Sequence, residues 1–265
     1  MRPGSPGRSG RLSTSPASAS YTSETQDAPE APVLEARGVV REYGPIVAVA
    51  GLDLELRAGE FLTIFGPNGA GKTSLLRLLA GGLRPTRGEV AVAGERLDFG
   101  AVDWRRRIGV VSHQSFLYGD LTAEENLRFY GRLYGLDGLN EHIRARLERV
   151  GLEKRASSLV RQLSHGMRPR LSLARALLHD PAVVLLDEPY TGLDPSAASV
   201  LREVLRELRD GLRTVVMVTH NLTEGLALAT RVGIMLRGRF AWEGRIDEVG
   251  EDFERFYHRV VEAGA

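Results

Sequence analysis

From residue 33 onward, apolar positions alternate with polar ones in short runs, the period that puts every second side chain on one face of a strand. "VLEARGVVREY" (33–43) and "VAVAGLDLEL" (47–56) read as half-buried strands joined by a turn at Gly44–Pro45. "EFLTIF" (60–65) is a short apolar strand that runs into a glycine-rich turn, and "TSLLRLLAGGL" from Thr73 reads as a helix ending at glycines. "EVAVAG" and "RIGVVS" predict further strands. The period then changes, and residues from about 115 to 178 read as helical. "LTAEENLRFYGRLYG" opens with Thr122 as N-cap and Glu125 three residues later, a capping box. Leu127, Phe129, Tyr130, Leu133 and Tyr134 follow at helical spacing. "AVVLL" (182–186), "TVVMV" (214–218) and "RVGIML" are strands again, with the helix "PSAASVLREVLRELRDGL" between the first two. The pattern predicts an α/β core interrupted by a helical insert, without internal repeats.

Residues 1–32 break this pattern. They are rich in Ser, Pro, Gly and Ala and hold one leucine, so they have little to bury against the entropy of ordering and are expected to be disordered. Their first 20 residues carry arginines and no acids, faintly like a transit peptide, but lack an apolar stripe. No apolar run approaches the roughly 18 residues a membrane span needs, so the chain is not expected to cross a bilayer by itself.

Composition narrows the chemistry. A formal net charge of +1 gives no electrostatic footprint for nucleic acid. The absence of cysteine excludes disulfides and thiolate metal sites. Of 35 basic residues only Lys72 and Lys154 are lysine. A lysine at 72 therefore points to a need for a compact ammonium rather than a planar fork.

That lysine lies in "GPNGAGKT", Gly66 to Thr73, which fits G-x-x-x-x-G-K-[ST] between a predicted strand and a predicted helix. Glycines at 66, 69 and 71 let the backbone wrap so that successive N–H groups face phosphates, and the helix start adds partial positive charge. Pro67, Asn68, Ala70 and Ser74 complete the expected phosphate-binding stretch. Lys72 would supply a full charge, and the Thr73 hydroxyl would ligate Mg²⁺. Further on, "VVLLDEP" is a buried strand ending in two carboxylates. Ligands of open α/β sheets sit beyond the carboxyl ends of strands, so Asp187 is expected on the metal and Glu188 as acceptor of a proton from attacking water.

With these motifs the chain resembles the ATP-binding subunits of ABC transporters over roughly residues 33–245, with the helical subdomain at about 115–178 and a helical tail at 246–265. The resemblance implies an α/β P-loop NTPase core with a β subdomain and an inserted α-helical subdomain. It places Tyr43 where an aromatic stacks on adenine, Gln114 on Mg²⁺ and His220 at the γ-phosphate. Asp194, in "TGLDP", falls in the loop that crosses to a second subunit. "LSHGM", Leu163 to Met167, matches the signature usually written LSGGQ. Ser164 and Gly166 would open a helix facing the nucleotide of another copy, Ser164 acting as phosphate donor and cap, while His165 receives no role. Two departures stand out. Met167 replaces an amide that could bond nucleotide, and Pro169 is expected to loosen or shift the first helical turn, at up to ~3 kcal/mol if the helix is regular.

The implied ligands are ATP and Mg²⁺. The implied partners are a second cassette, as homodimer or pseudo-dimer, and an integral membrane permease at the cytoplasmic face of the inner membrane; nucleic acid is not expected. Residues 112–135 resemble the corresponding stretch of haem-exporter subunits of cytochrome c biogenesis, which implies an exporter with haem as its first expected cargo. They also resemble ABC-2 type drug, lipid or polysaccharide exporters, the alternative. A soluble ATPase of the same superfamily, acting on DNA or ribosomes, is the other reading.

Overall fold

The computed structural model describes Met1 and residues 31–264 apart from 102, 113, 212, 250 and 251. Nearly all of the segment expected to be disordered therefore lies outside the described residues. Strand β1 (Leu34–Tyr43) and strand β2 (Ile46–Leu56) form the predicted hairpin, turning at Gly44–Pro45. Next come β3 (Phe61–Phe65), helix α1 (Lys72–Leu79), β4 (Arg87–Val92), the two-residue β5 (Glu95–Arg96) and β6 (Ile108–Val111). The helical insert holds α2 (Ala123–Leu133), α3 (Leu139–Arg149) and α4 (Met167–Ala176). The core resumes with β7 (Val183–Asp187), α5 (Pro195–Asp210), β8 (Thr214–Val218), α6 (Leu222–Leu226), β9 (Arg231–Leu236) and β10 (Arg239–Arg245), and α7 (Phe253–Ala263) follows.

Two sheets result. The order β2-β1-β4-β5 is antiparallel, and the order β10-β9-β3-β8-β7-β6 is parallel except for β10. Every residue of β3, β7 and β8 is buried, as continuous apolar runs covered on both faces require. On one face, β1, β2 and β4 pack with α1 through Leu34, Leu56, Leu75 and Leu79. On the other, α2 to α5 bury Leu127, Leu147, Leu171 and Leu205 against the sheet. A third cluster joins Phe65 and Ile234 to Phe253 of α7.

The strand order positions the site. Because β8 lies between β3 and β7, the residues after β8 emerge between those following β3 and those following β7. Those following β6 lie on the far side of β7.

The insert departs from its expected extent. Residues 114–121 are not helical; they form a loop held by Asn126, which is fully buried. Its Oδ1 accepts the amide of Tyr118 at 2.8 Å, and its Nδ2 donates to the carbonyls of Tyr118 (3.0 Å) and Thr122 (2.9 Å). Among the described residues, no helix is long and apolar enough to cross a membrane.

Candidate nucleotide site

The loop after β3 folds back on its neighbours at two glycines. A Cβ at Gly66 would lie 2.3 Å from the Met235 carbonyl oxygen, and one at Gly71 would lie 2.1 Å from that of Ala48. Both have positive φ, 152° and 102°, so only glycine allows this approach. Pro67, Asn68 and Gly69 are exposed at the loop tip, Ala70 is buried, and Ser74 is half-buried in the first turn of α1. Lys72 is 8% exposed, and its ammonium donates to the carbonyls of Gly66 (2.6 Å) and Pro67 (2.9 Å). Burial lowers its pKa, opposed by the charges of Glu188 and Asp187.

Asp187 ends β7 and is buried; the Thr73 hydroxyl donates to its Oδ1 at 3.3 Å. A hydroxyl and a carboxylate oxygen side by side suit a hard divalent cation that keeps waters or phosphate oxygens as its other ligands. Among the described residues no cluster of three or more His, Cys, Asp or Glu offers an all-protein cage. Glu188 follows with φ of 51°, a left-handed backbone that costs a non-glycine residue of order 1–3 kcal/mol. Its amide donates to the Val218 carbonyl at 2.8 Å, which fixes the turn. Its Oε2 accepts the Thr219 hydroxyl at 3.2 Å, the His220 amide at 3.3 Å and Nδ1 of His220 at 2.8 Å. The His220 side chain is otherwise 73% exposed, leaving Nε2 for a ligand.

Asn68, Thr73, Asp187, Glu188 and His220 line one cleft of about 690 Å³, which continues to His165, Arg168 and Ser172 at the start of α4. His165, given no role by the sequence, thus faces the same space as the acidic pair. Thr219 and Arg168 were also missed; the hydroxyl closing the "VVMVTH" strand end was the available signal for Thr219.

The remaining expected residues do not themselves line the cleft, although Ser112 and Ser115, either side of Gln114, do. Gln114 is exposed in the loop beyond β6, and its carbonyl accepts the Ser112 hydroxyl at 2.9 Å. Tyr43, 41% exposed, ends β1, with the Arg41 guanidinium 4.6 Å above its ring. It lies in the β1–β2 hairpin, whose second strand touches Gly71 through Ala48. Gly166 is buried against the start of α5, where an added Cβ would meet Asp194 Oδ2 at 2.9 Å. Asp194 caps α5 within its own chain, its Oδ1 accepting the Ala197 amide at 2.8 Å.

The signature segment corrects one expectation. Ser164 is exposed, and its hydroxyl caps nothing; its carbonyl opens the turn, accepting the amides of Met167 (3.1 Å) and Arg168 (3.3 Å). Pro169 has no amide to continue that ladder to the exposed His165, and regular α4 begins only at Met167. The first turn is shifted as expected. Because the carbonyl that loses a partner lies on an exposed residue, water replaces much of what a regular, buried helix would have lost.

A strand, a glycine-rich phosphate loop and a helix, with an acidic pair closing another strand of the same parallel sheet, define a P-loop nucleoside triphosphatase core. The family model for ABC transporters matches residues 49–191, more than half of the chain. The chain belongs to the ABC transporter family and is one of its ATPases. It is 41% identical over 215 residues to "Nod factor export ATP-binding protein I" of Cupriavidus pinatubonensis; the match spans 80% of this chain and 66% of that protein. It is 40% identical over 214 residues to "Daunorubicin resistance ATP-binding protein DrrA3" of Streptomyces coeruleorubidus, covering 80% and 68%. Among solved structures, an ATP-binding subunit of an ABC transporter superposes with a TM-score of 0.79 at 28% identity, covering 86% of this chain and 99% of the other. A dimeric ATP-binding cassette in a post-hydrolysis state, bound to ADP and Pi, superposes with a TM-score of 0.73 at 28% identity, covering 80% and 98%.

Proposed function

We propose that this chain is the ATP-hydrolysing subunit of an exporter, acting at the cytoplasmic face of the inner membrane on a separate integral membrane permease. Two copies, or this chain and a homologous one, close head to tail on two ATP–Mg²⁺. Residues 33–245 form the cassette. The observation that carries the chemistry is the Glu188 carboxylate, bonded to Thr219 and His220 in the cleft that also holds the phosphate loop.

In this reading the loop amides and Lys72 bind the β- and γ-phosphates, and Tyr43 stacks on adenine. Thr73, Asp187 and Gln114 hold Mg²⁺, which neutralises phosphate charge when bound. Glu188 takes the proton of the attacking water as its oxygen bonds to the γ-phosphorus and the bond to ADP breaks. His220 contacts the γ-phosphate, Ser164 and Gly166 meet the nucleotide of the other copy, and Asp194 lies at the crossing between copies.

The name of the Cupriavidus relative supports export, and daunorubicin resistance in the name of the Streptomyces relative supports the alternative cargo class that includes drugs over haem. The haem reading rests on the resemblance of residues 112–135 alone. The test uses Glu188→Gln, expected to lose ~10²–10⁴-fold in hydrolysis as removal of a general base does and to remain an ATP-held dimer by light scattering. A variant that stays monomeric in saturating ATP–Mg²⁺ sinks the sandwich. Capturing the same variant with ATP from gently solubilised membranes identifies the permease: cytochrome c assembly proteins favour haem, an ABC-2 permease favours drug, lipid or glycan, and ribosomal or DNA-bound proteins alone overturn export.

A further inference from the structure

His220 meets Glu188 at the start of a segment that is tied to the core at Gly225, whose carbonyl accepts the buried Thr63 hydroxyl at 2.9 Å, and to α5 at Glu224. After β8 the chain passes through Thr219 and His220 directly into α6, a helix of only five residues. Asn221 caps that helix, its Oδ1 accepting the Glu224 amide at 3.0 Å. The other end of this short lever is an ion pair. Arg202, from the middle of α5, grips Glu224 with two donors: Nε to Oε2 at 3.1 Å, and Nη2 to Oε1. The pair is partly sheltered, with side-chain exposures of 31% and 17%. Such a fork fixes orientation as well as distance. The phenol of Tyr190, two residues after Glu188, is buried beside the same pair, and burial followed by the Glu224 charge raises its pKa.

We propose that the Arg202–Glu224 pair is a positioning device for hydrolysis: by fixing α6 on α5 it holds His220 where Nδ1 meets the Glu188 carboxylate. Neither residue lines the cleft, so the pair acts through the segments beside it. Its partner helix is the one that Asp194 caps, so one rigid element sets both His220 and the Asp194 loop. A pair that merely stabilised the fold would affect nucleotide binding and hydrolysis together. A positioning pair affects the chemical step, because the phosphate loop binds nucleotide through other elements.

The inference rests on the roles given to Glu188 and His220 above, and the experiment separates the two. Steady-state ATPase rates and affinity for a fluorescent ATP analogue are measured on the full chain for Glu188→Gln, Arg202→Met, Glu224→Gln and the exchanged pair Arg202→Glu/Glu224→Arg. The expected result is a kcat about 10- to 100-fold lower for each single variant, the scale of a misplacement near 1 Å, with KM and analogue affinity unchanged and kcat largely recovered in the exchanged pair. Folded single variants with wild-type kcat overturn the proposal. So does a loss in which kcat and thermal stability fall while KM rises, without rescue by the exchange. Full activity in Glu188→Gln would instead overturn the assignment of the base, whatever the Arg202 variants do.

Discussion

The carbonyl of Ala70, in the phosphate loop, accepts the amide of Gly238 at 2.8 Å, and the carbonyl of Gly238 accepts the amide of Ala50 at 2.9 Å. One residue of the β9–β10 turn therefore ties the loop proposed to hold phosphates to the hairpin proposed to hold adenine through Tyr43. Gly238 has φ of +80°, and a Cβ there would lie 2.9 Å from the Ala48 carbonyl oxygen and 3.1 Å from Val49 Cα. Gly238→Ala is expected to cost about 1–3 kcal/mol of stability from the strained backbone. Because the strain falls between the two ends of the nucleotide, it is expected to weaken ATP as well. Thermal unfolding and titration with a fluorescent ATP analogue check both; a stability loss with unchanged affinity would break the link.

The parts of the site that were legible in the sequence are local. Gly66 to Thr73 spell the loop because each residue acts on a neighbour a few positions away. Thr122 and Glu125 form the expected reciprocal cap, with bonds of 3.1 and 2.8 Å, for the same reason. Asp187 and Glu188 could be placed at a strand end by the apolar run before them. What stayed hidden depends on which strands become neighbours. That Thr219 and His220 meet Glu188 follows from β8 lying beside β7, and that Gly166 meets Asp194 follows from α4 packing on α5; no spacing in the chain encodes either. The expected insert begins at about 115, ahead of the helical spacing that starts after Thr122, and the buried amide that holds the loop before it looks like any polar residue of α2.

That amide, Asn126, gives a second prediction. Its side chain satisfies backbone groups of Tyr118, Leu121 and Thr122 from a fully buried position. Asn126→Ala strands those groups away from water and is expected to cost about 1–3 kcal/mol, read as a lower urea midpoint. The loop carrying Gln114 should also become more accessible to protease. If its cleavage rate is unchanged at a matched fraction folded, Asn126 stabilises α2 without holding the loop.

Lys72 offers a test of charge shape. Its ammonium fits between two loop carbonyls 2.6 and 2.9 Å away, in a buried position beside Asp187 and Glu188. A guanidinium keeps the charge but not the compact form. Lys72→Arg is expected to fold and to lose about 10- to 100-fold in ATP affinity, the equivalent of one charge-assisted hydrogen bond. Calorimetric titration decides; retained affinity would mean that charge alone suffices at this position.

The last prediction concerns acid stability and stands apart from the cleft. His179 follows α4 with its ring stacked on Tyr134, centroids 3.8 Å apart at 18°, and its Nε2 lies 3.2 Å from the Ile108 carbonyl oxygen. Its pKa is pushed down to about 4, chiefly by burial and further by Arg175 and Arg146, against the Ile108 hydrogen bond and Asp180. An unfolded chain protonates the same ring near the ordinary value of about 6.5. Above that pH both states are neutral and His179 contributes no pH dependence. As pH falls from about 6.5 towards 4, the unfolded chain takes up a proton that the folded chain refuses, so stability falls; below the folded pKa both states are protonated and the loss levels off. Between pH 7.5 and 4.5 this linkage amounts to about 2–3 kcal/mol. His179→Phe keeps a ring against Tyr134 and removes the titration, at the cost of the Ile108 contact at every pH. Urea unfolding of both proteins at the two pH values is expected to show the wild type losing about 2–3 kcal/mol more than the variant, with equal losses counting against a buried neutral His179.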